Sequence, residues 1–407
     1  MAIDFTLPPE VLEVRERIRS FMQNEVAPTE LRLAEGQDLR AWRPALQDLR
    51  EKAKAEGIWA PHMPREWGGM GLGPTAMAFV SAECGRTRFG AYVLNCQAPD
   101  EGNMHTLLHF GSPEQKERYL RPLVDGECRS CFSMTEPDVA GSDPTGIQTR
   151  AVQDGPDWVI NGRKWFTSGA RGARFAIVIA CTDPDADPPQ ARNSAFIVEC
   201  DNPGFEIVRD IETLAGKGNH CEVAYTDCRV SGDALFGGRG QGHRLGQVRL
   251  GPARLAHCMR WIGNAETALD LMTARALKRQ LHGAPLADKQ LTQVKFAESA
   301  LEIYQAKLMV LHAAYLIENG KPFRNEVSMC KHHVANTLWR VIDRAIQVHG
   351  ALGYSTDVEL GDMMKHARSS RLVDGADEVH LTQIARHVIE AYQLHGSVRE
   401  ATGAGLL

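Results

Sequence analysis

The stretch that governs the interpretation of this chain is residues 372–380, which read LVDGADEVH. Apolar residues recur at helical spacing from Val379 onwards, so the stretch is predicted to be a turn that opens a helix. Asp377 and Glu378 fall in the first helical turn, where negative charge is favoured. Asp374 precedes them on the turn, and its carboxylate is either a helix cap or a base. Because Asp is common at such turns, this stretch taken alone favours the cap.

Long amphipathic helices are predicted around this turn. Apolar positions at helical spacing cover residues 250–281, 286–319, 325–349 and 377–395. Helices of this length are typical of a four-helix bundle. Helical patterns also dominate residues 9–120 at the other end of the chain.

The middle of the chain has a different pattern. Residues 130–232 consist of short apolar runs between turn residues, which is typical of a small antiparallel β-barrel or sandwich. Asn161-Gly162 follows one such run and predicts a two-residue hairpin turn. The chain is therefore predicted to be mainly α with a central β domain. The predicted parts are an N-terminal α-helical domain over residues 1–129, a middle β domain over 130–238 and a C-terminal four-helix bundle over 239–407.

Composition and charge exclude several classes of protein. The 407 residues carry a net charge of −5 without a strongly basic region, so nucleic acid is not expected as a partner. No apolar run approaches the roughly 18 residues of a membrane span, and the N-terminus lacks the basic and apolar segments of a signal peptide. Cys128 and Cys131 form an isolated C-x-x-C, for which packing is favoured over a metal or redox role. No metal is expected, and a cytoplasmic location is predicted.

Three motifs carry the chemical signal. Residues 132–143 read FSMTEPDVAGSD, residues 161–169 read NGRKWFTSG, and residues 345–354 read AIQVHGALGY. In this order and in an α–β–α layout, they resemble the acyl-CoA dehydrogenase family, over residues 8–395. The segments MTEPDV and DGADEVH are most similar to those of the subgroup that contains the dehydrogenase domain of family members 10 and 11.

The resemblance implies FAD as the cofactor, held largely through backbone groups. An isoalloxazine ring needs a flat apolar wall and a few hydrogen bonds to its polar edge. The family pattern W-I-T-N-G reads Phe166-Thr167-Ser168-Gly169 here, one residue shorter, so either Thr167 or Ser168 could meet the flavin N5 edge. Core packing is the alternative role of the aromatic residues. The residues expected to contact the flavin are Phe132, Met134, Thr135, Gly141, Ser142, Trp165, Phe166, Thr167 and Ser168.

The resemblance also implies that the adenine dinucleotide part of FAD reaches a neighbouring subunit, in a homodimer or homotetramer. Arg279 suits a pyrophosphate because its charge cannot be titrated away and its donors form a fork. Taken alone, an arginine on a long helix is more often a solvated charge. In the family pattern R-x-x-F-G, His282 replaces the aromatic residue. The residues expected to contact FAD in this part of the chain are Arg279, Gln290, Gln347, Gly350, Ala351, Ala376 and Glu378.

The implied reaction is α,β-desaturation of an acyl-CoA thioester to a trans-2-enoyl-CoA. A base removes the α-proton while a hydride leaves the β-carbon for flavin N5. The family context makes Asp374 the expected base, although most family members have the longer Glu. The backbone N–H of Asp374 and a flavin ribityl hydroxyl are the expected donors to the thioester oxygen. An electron-transferring flavoprotein is the expected acceptor, in fatty-acid β-oxidation. The residues expected to contact the substrate are Ser142, Arg254, Gly375 and Arg386.

Two alternatives remain open from the sequence. Asp at the base position also occurs in the related nitroalkane oxidases, so a flavin oxidase of the same fold is one alternative, and it predicts peroxide production. The other is a non-catalytic or DNA-binding relative, which requires a basic face that the net charge of −5 disfavours. For Arg386, a helix-end salt bridge is the alternative to a contact with CoA.

Overall fold

The computed structural model describes residues 7–36 and 39–403. The first six residues, which belong to the N-terminus predicted to carry no signal peptide, lie outside the described residues. The chain forms two compact units, of which the first combines both ends of the chain and the second its middle. The first unit is Met1–Trp59, Leu72–Leu94 and Arg254–Leu407, and the second is Ala60–Gly71 and Asn95–Ala253.

Helices make up most of the first unit, and α11 is its best-buried long helix. Val334, Leu338, Val341 and Ala345 recur on α11 at helical spacing and are buried. Helix α11 packs against α10, α13 and α14. The α-helices of the first unit are α1 Pro9–Phe21, α2 Ala27–Gly36, α3 Leu39–Ala55, α4 Pro74–Cys84, α5 Gly90–Val93, α10 Gln290–Glu318, α11 Arg324–His349, α12 Ala351–Tyr354, α13 Leu360–Ser369 and α14 Asp377–His395. The helices α6 Asp100–Phe110, α7 Pro113–Gln115 and α8 Arg121–Val124 belong to the second unit, and α9 Gly242–Lys278 contributes to both units.

The second unit is built on an eight-stranded sheet. Its strand order is β6-β7-β3-β2-β4-β5-β8, and β1 pairs with β4. Most neighbours are antiparallel, but β1 and β2 each run parallel to β4, which the antiparallel expectation missed. The strands of this sheet are β1 Ser130–Ser133, β2 Arg150–Asp154, β3 Asp157–Ser168, β4 Phe175–Cys181, β5 Asn193–Glu199, β6 Phe205–Thr213, β7 Gly216–Ser231 and β8 Leu235–Phe236; a separate pair is β9 Gln280–Leu281 and β10 Ala284–Pro285.

The predicted hairpin at Asn161-Gly162 is wrong, because both residues lie within strand β3. The turn between β2 and β3 falls earlier, at residues 154–157. Asn161 instead accepts a hydrogen bond from the Asp227 backbone N–H at 2.7 Å, where the register to β7 shifts. Gly162 has φ +155°, and a Cβ there would lie 2.5 Å from Thr149 Oγ1. The glycine therefore permits a close approach within the sheet and does not form a turn.

The helix predictions hold with changes at their ends. The helix predicted over 377–395 is confirmed, while the one predicted over 250–281 begins at Gly242 and ends at Lys278. The helix predicted from 286 begins at Gln290, after a short 3₁₀ turn. The predicted fold class, helical at both ends with a central β domain, is confirmed. The domain limits at residues 129 and 238 stay predictions.

None of the helices within residues 7–36 and 39–403 is both long and apolar enough to cross a membrane. The ten cysteines are all free thiols, and Cys131 is buried in the sheet core, as its predicted packing role requires.

Candidate active site

The turn that carries Asp374 is held by two cationic side chains that bind its backbone. Asp374 has φ +54° and Gly375 has φ +104°, so the chain passes through the left-handed region twice in succession. Arg254 Nε donates to the carbonyl oxygen of Asp374 at 2.7 Å. Lys331 Nζ donates to the carbonyl oxygens of Ser370 at 2.6 Å and Gly375 at 3.2 Å. These bonds hold the turn in a conformation that non-glycine residues rarely adopt.

The side chain of Asp374 points to a histidine and does not cap the helix. Its Oδ2 lies 3.3 Å from Nε2 of His257, and each side chain is 21% exposed. The His257 ring stacks on Trp261, with centroids 5.4 Å apart and planes at 24°. The residue preceding α14 is Ala376, and no side chain caps that helix. The helix-cap interpretation of Asp374 is therefore wrong.

The acidic residue with a structural role in this turn is Asp377. It is buried and accepts hydrogen bonds from Arg371 Nε at 2.7 Å and Asn336 Nδ2 at 3.2 Å. Burial raises the pKa of Asp377, but these donors and the charge of Arg371 outweigh burial and leave the pKa below its ordinary value. The carboxylate thus ties the start of α14 to α11. Glu378, the other acid of the first helical turn, is exposed.

A buried histidine lies beneath the same turn. Burial lowers the pKa of His380 to about 4, and the positive charges of Lys331 and Arg254 act in the same direction. A Cβ on Gly375 would lie 2.8 Å from His380 Nε2, so glycine is required for this approach. His380 is therefore neutral at pH 7 and adds no positive charge to those of Arg254 and Lys331 around the turn.

The two arginines predicted to contact the substrate lie in different environments. Arg254 is half-buried, burial lowers its pKa, and its Nε donates a hydrogen bond to the turn backbone. Arg386 is exposed on α14. The structure thus adds a positioning contact for Arg254 that the sequence did not predict.

In the second unit, the two motifs of the β domain are joined by a buried ion pair. Lys164 Nζ lies 2.8 Å from Glu136 Oε1 and also donates to the Met134 carbonyl oxygen at 2.8 Å. Both side chains are almost fully buried, at 0% and 5% exposure. The Trp165 backbone N–H donates to the Thr135 carbonyl oxygen at 2.9 Å. Residues 132–143 and 161–169 therefore form one structural element.

The side chains of this element alternate between the core and the surface. Thr167 is fully buried, and its hydroxyl lies 3.3 Å from that of Ser133, which in turn accepts from Tyr225 at 3.0 Å. Ser168 lies on the opposite face, with Oγ 2.7 Å from His220 Nδ1. Of the two hydroxyls left open by the sequence, the one directed out of the core is thus that of Ser168.

An exposed aromatic surface borders the Ser168 hydroxyl. Phe166 is 42% exposed and has φ +50°, an uncommon backbone conformation for a bulky residue. Its ring is edge-on to that of Trp165, with centroids 4.9 Å apart, and 5.5 Å from the ring of His220. Phe132 and Met134 are half-buried, while Thr135, Gly141 and Ser142 are exposed. The combination is one exposed aromatic face, that of Phe166, with hydroxyl groups beside it.

The residues predicted for the adenine dinucleotide part lie on the surface of the first unit. Arg279 follows the end of α9, and Gly350 ends α11 with φ +64°. The exposed residues of this group are Arg279, Gln290, Gln347, Gly350 and Ala351, while Ala376 is half-buried.

Models of the acyl-CoA dehydrogenase N-terminal, middle and C-terminal domains match residues 8–127, 131–228 and 240–389. FadE2 of Mycobacterium tuberculosis (strain ATCC 25618 / H37Rv), described as an acyl-CoA dehydrogenase, is 41% identical over 395 residues, which are 94% of this chain and 96% of FadE2. The chain belongs to the acyl-CoA dehydrogenase family.

Other acyl-CoA dehydrogenases of the predicted subgroup also match. Gallus gallus acyl-CoA dehydrogenase family member 11 is 40% identical over 389 residues, which are 92% of this chain. This chain spans 50% of the length of family member 11. A solved structure of a Mycobacterium abscessus protein, described as an acyl-CoA dehydrogenase, is 38% identical with a TM-score of 0.90, and covers 95% of this chain and 100% of that chain.

Acyl-CoA dehydrogenases are FAD enzymes, and family membership therefore confirms FAD, the cofactor expected from the sequence. The residues of the β domain fit this cofactor. Phe166 exposes an aromatic face that an isoalloxazine ring could cover, and the outward hydroxyl of Ser168 lies at the edge of that face. No group of three or more His, Cys, Asp or Glu side chains that could hold a metal is present in the described parts of the chain.

Sequence reasoning missed several residues of these sites. His257 lies three residues after Arg254 on the same helix, and this i, i+3 spacing indicates that the two side chains share one helix face. Lys331 interrupts the buried face of α11, which is a signal for a buried polar contact. His220 on β7 had no local signal, because strand pairing alone brings it opposite Ser168.

Proposed function

We propose that this protein is an FAD-dependent acyl-CoA dehydrogenase that converts an acyl-CoA thioester to a trans-2-enoyl-CoA, with Asp374 as the base. The observation that carries the proposal is the left-handed turn at Asp374, which two cationic side chains hold through backbone carbonyls. A rigid turn of this kind supports a carboxylate that must meet a carbon acid in one geometry.

Asp374 takes the α-proton of the thioester onto its carboxylate. The α and β C–H bonds break, a carbon–carbon double bond forms, and two electrons leave with the β-hydride. FAD, when bound, supplies the acceptor for that hydride. Arg254 and Lys331 place positive charge beside the turn, where it favours the carboxylate form of the base before proton transfer. The backbone N–H of Asp374 is the protein donor to the thioester oxygen.

The other predicted residues have supporting roles in this proposal. Ser168 is the hydroxyl for the flavin N5 edge, and the exposed face of Phe166 is the aromatic wall, against which the Trp165 ring packs edge-on. Ser142 and Gly375 contact the substrate near the thioester, and Arg386 contacts CoA at the entrance to the site. Arg279, Gln290 and the Gln347–Ala351 turn bind the dinucleotide of FAD across a subunit contact, in a homodimer or homotetramer.

The biological setting is proposed from family membership. The electrons pass to an electron-transferring flavoprotein, and the pathway is fatty-acid β-oxidation. The cytoplasmic location is proposed separately, from the free cysteines of the chain. Mixing the reduced enzyme with an electron-transferring flavoprotein tests the first of these, because the flavin of the enzyme should be reoxidised without oxygen.

An anaerobic titration of the FAD-loaded protein with a panel of acyl-CoA esters tests the activity. The flavin absorbance should be bleached by one class of ester. Asp374→Asn keeps the size of the side chain and removes its basicity, so bleaching should slow by about 10³- to 10⁴-fold while FAD stays bound. Asp362→Asn, at an exposed carboxylate on α13, is the matched control and should bleach at the wild-type rate.

The result of this titration also distinguishes a dehydrogenase from an oxidase. The residue at the base position is aspartate, whereas most family members have the longer glutamate. Because related nitroalkane oxidases also have aspartate there, a flavin oxidase is the second candidate. Protein that is not bleached by any ester, but forms peroxide from a nitroalkane and oxygen, would be that oxidase.

A further inference from the structure

His257 lies beside Asp374, and the reaction proposed above assigns it no role. Its Nε2 is 3.3 Å from Asp374 Oδ2, at the long end of hydrogen-bond distances. Its Nδ1 is 3.4 Å from Nη2 of Arg260, and its ring stacks on Trp261. Both ring nitrogens and one ring face are therefore in contact with defined partners.

The contact with Arg260 determines which nitrogen of His257 carries the proton. A guanidinium has only donors, so Nδ1 must accept and carries no proton. The ring proton is then on Nε2, which faces the carboxylate of Asp374. A second ring proton would place two positive charges together, because it would meet the guanidinium of Arg260. His257 is thus neutral and presents one N–H donor to Asp374.

The surroundings of the pair favour the same state. Positive charges predominate around the carboxylate and disfavour a further positive charge on His257, and His380 nearby is itself neutral. The charged and titratable groups near Asp374 and His257 include Arg254, Cys258, Arg260, Lys331 and His380, and Asp377 in turn interacts with Lys331 and His380.

We propose that neutral His257 is a positioning residue, which donates its Nε2–H to Asp374 and holds that carboxylate in one rotamer for α-proton abstraction. The inference rests on the proposed function. An aspartate is one methylene shorter than a glutamate, so its reach to the substrate depends more strongly on its rotamer. The stack on Trp261 fixes the plane of the donor, as a positioning role requires. Because Nε2 already carries a proton, His257 does not accept the α-proton from Asp374.

Removing the donor should change both the rate and the pH dependence of flavin reduction. In His257→Ala the reduction rate constant should fall by about 10- to 100-fold. A hydrogen bond to the charged form lowers the pKa of a carboxyl, so the apparent pKa of the pH–rate profile should rise, by about one unit. His257→Gln retains an N–H donor and should recover most of the rate and the wild-type profile. His109→Ala, at an exposed histidine on α6, is the control.

Histidine ¹⁵N spectra of the resting enzyme give a readout that does not depend on turnover. Wild-type His257, assigned by its absence in His257→Gln, should show a protonated Nε2 and an unprotonated Nδ1 at pH 7. A protonated Nδ1 in that spectrum, or a His257→Ala profile equal to wild type, would overturn the inference. Failure of the proposed function is distinguishable, because Asp374→Asn would then be bleached as fast as wild type.

Discussion

Two fully buried lysines stabilise the two candidate site regions of this molecule by different means. One region is formed by the joined motifs of the β domain, and the other is the Asp374 turn. Lys164 joins the motifs of the β domain through the carboxylate of Glu136. Lys331 holds the Asp374 turn through the backbone carbonyls of Ser370 and Gly375. Burial lowers the pKa of Lys164 to about 8 and also lowers that of Lys331, so each ammonium depends on its contacts to stay charged.

The difference shows how a buried charge can serve either stability or chemistry. The charge of Lys164 is neutralised locally by the carboxylate of Glu136. The charge of Lys331 is solvated by carbonyl dipoles, so its field extends to the Asp374 carboxylate. Lys331 therefore acts electrostatically on the carboxylate of Asp374, the proposed base, while Lys164 stabilises the β domain.

The largest predicted effect is on the stability of the β domain. Lys164→Met leaves Glu136 buried without its cation, so the free energy of unfolding should fall by about 3–5 kcal/mol in urea titrations. Adding Glu136→Gln to this variant removes the unpaired charge and should recover part of the loss. A double variant no more stable than Lys164→Met would contradict the assignment of this pair.

Lys331→Met should cost less stability and more activity. It leaves two carbonyls without donors but no buried carboxylate, so the loss should be about 2–3 kcal/mol. The Asp374 turn then loses a clamp and a nearby positive charge, so flavin reduction by acyl-CoA should slow in the folded fraction. Equal rates for Lys331→Met and wild type would show that the field of this lysine has no role at Asp374.

The pH dependence of stability tests the neutral histidine beneath the turn. His380 has a pKa of about 4 in the native state and near 6.5 when unfolded, so protons bind preferentially to the unfolded chain between these values. Stability is therefore lost as the pH falls from about 6.5 towards 4, by about 2 kcal/mol between pH 7 and pH 5. His380→Gln should lack this contribution, and the difference between the two urea midpoints at each pH measures it.

The smallest predicted effects distinguish the two hydroxyls of the β domain. Ser168→Ala should slow flavin reduction about 10-fold, since one hydrogen bond to the cofactor edge is lost, with stability unchanged. Thr167→Val should lower stability by about 1 kcal/mol, because the buried Ser133 hydroxyl loses a partner, with reduction unchanged. The reverse result would assign the flavin edge to Thr167.

The parts of the fold that local patterns dictate were predictable from the sequence. The helix over 377–395 was predicted with both ends correct, because its first-turn acids and its apolar spacing are local signals. The hairpin at Asn161-Gly162 was predicted wrongly, because the same dipeptide also serves a close strand approach. That approach depends on Thr149, which is distant in the sequence.

The sequence by itself determined the fold class, the family and the candidate base, since these rest on periodicity and on motifs that are contiguous in the chain. The tertiary structure decided how the base is held. Arg254, His257 and Lys331 reach Asp374 or its turn from helices α9 and α11, far away in the sequence. It also decided that Ser168 faces outward and Thr167 inward, because strand register sets the face of each side chain.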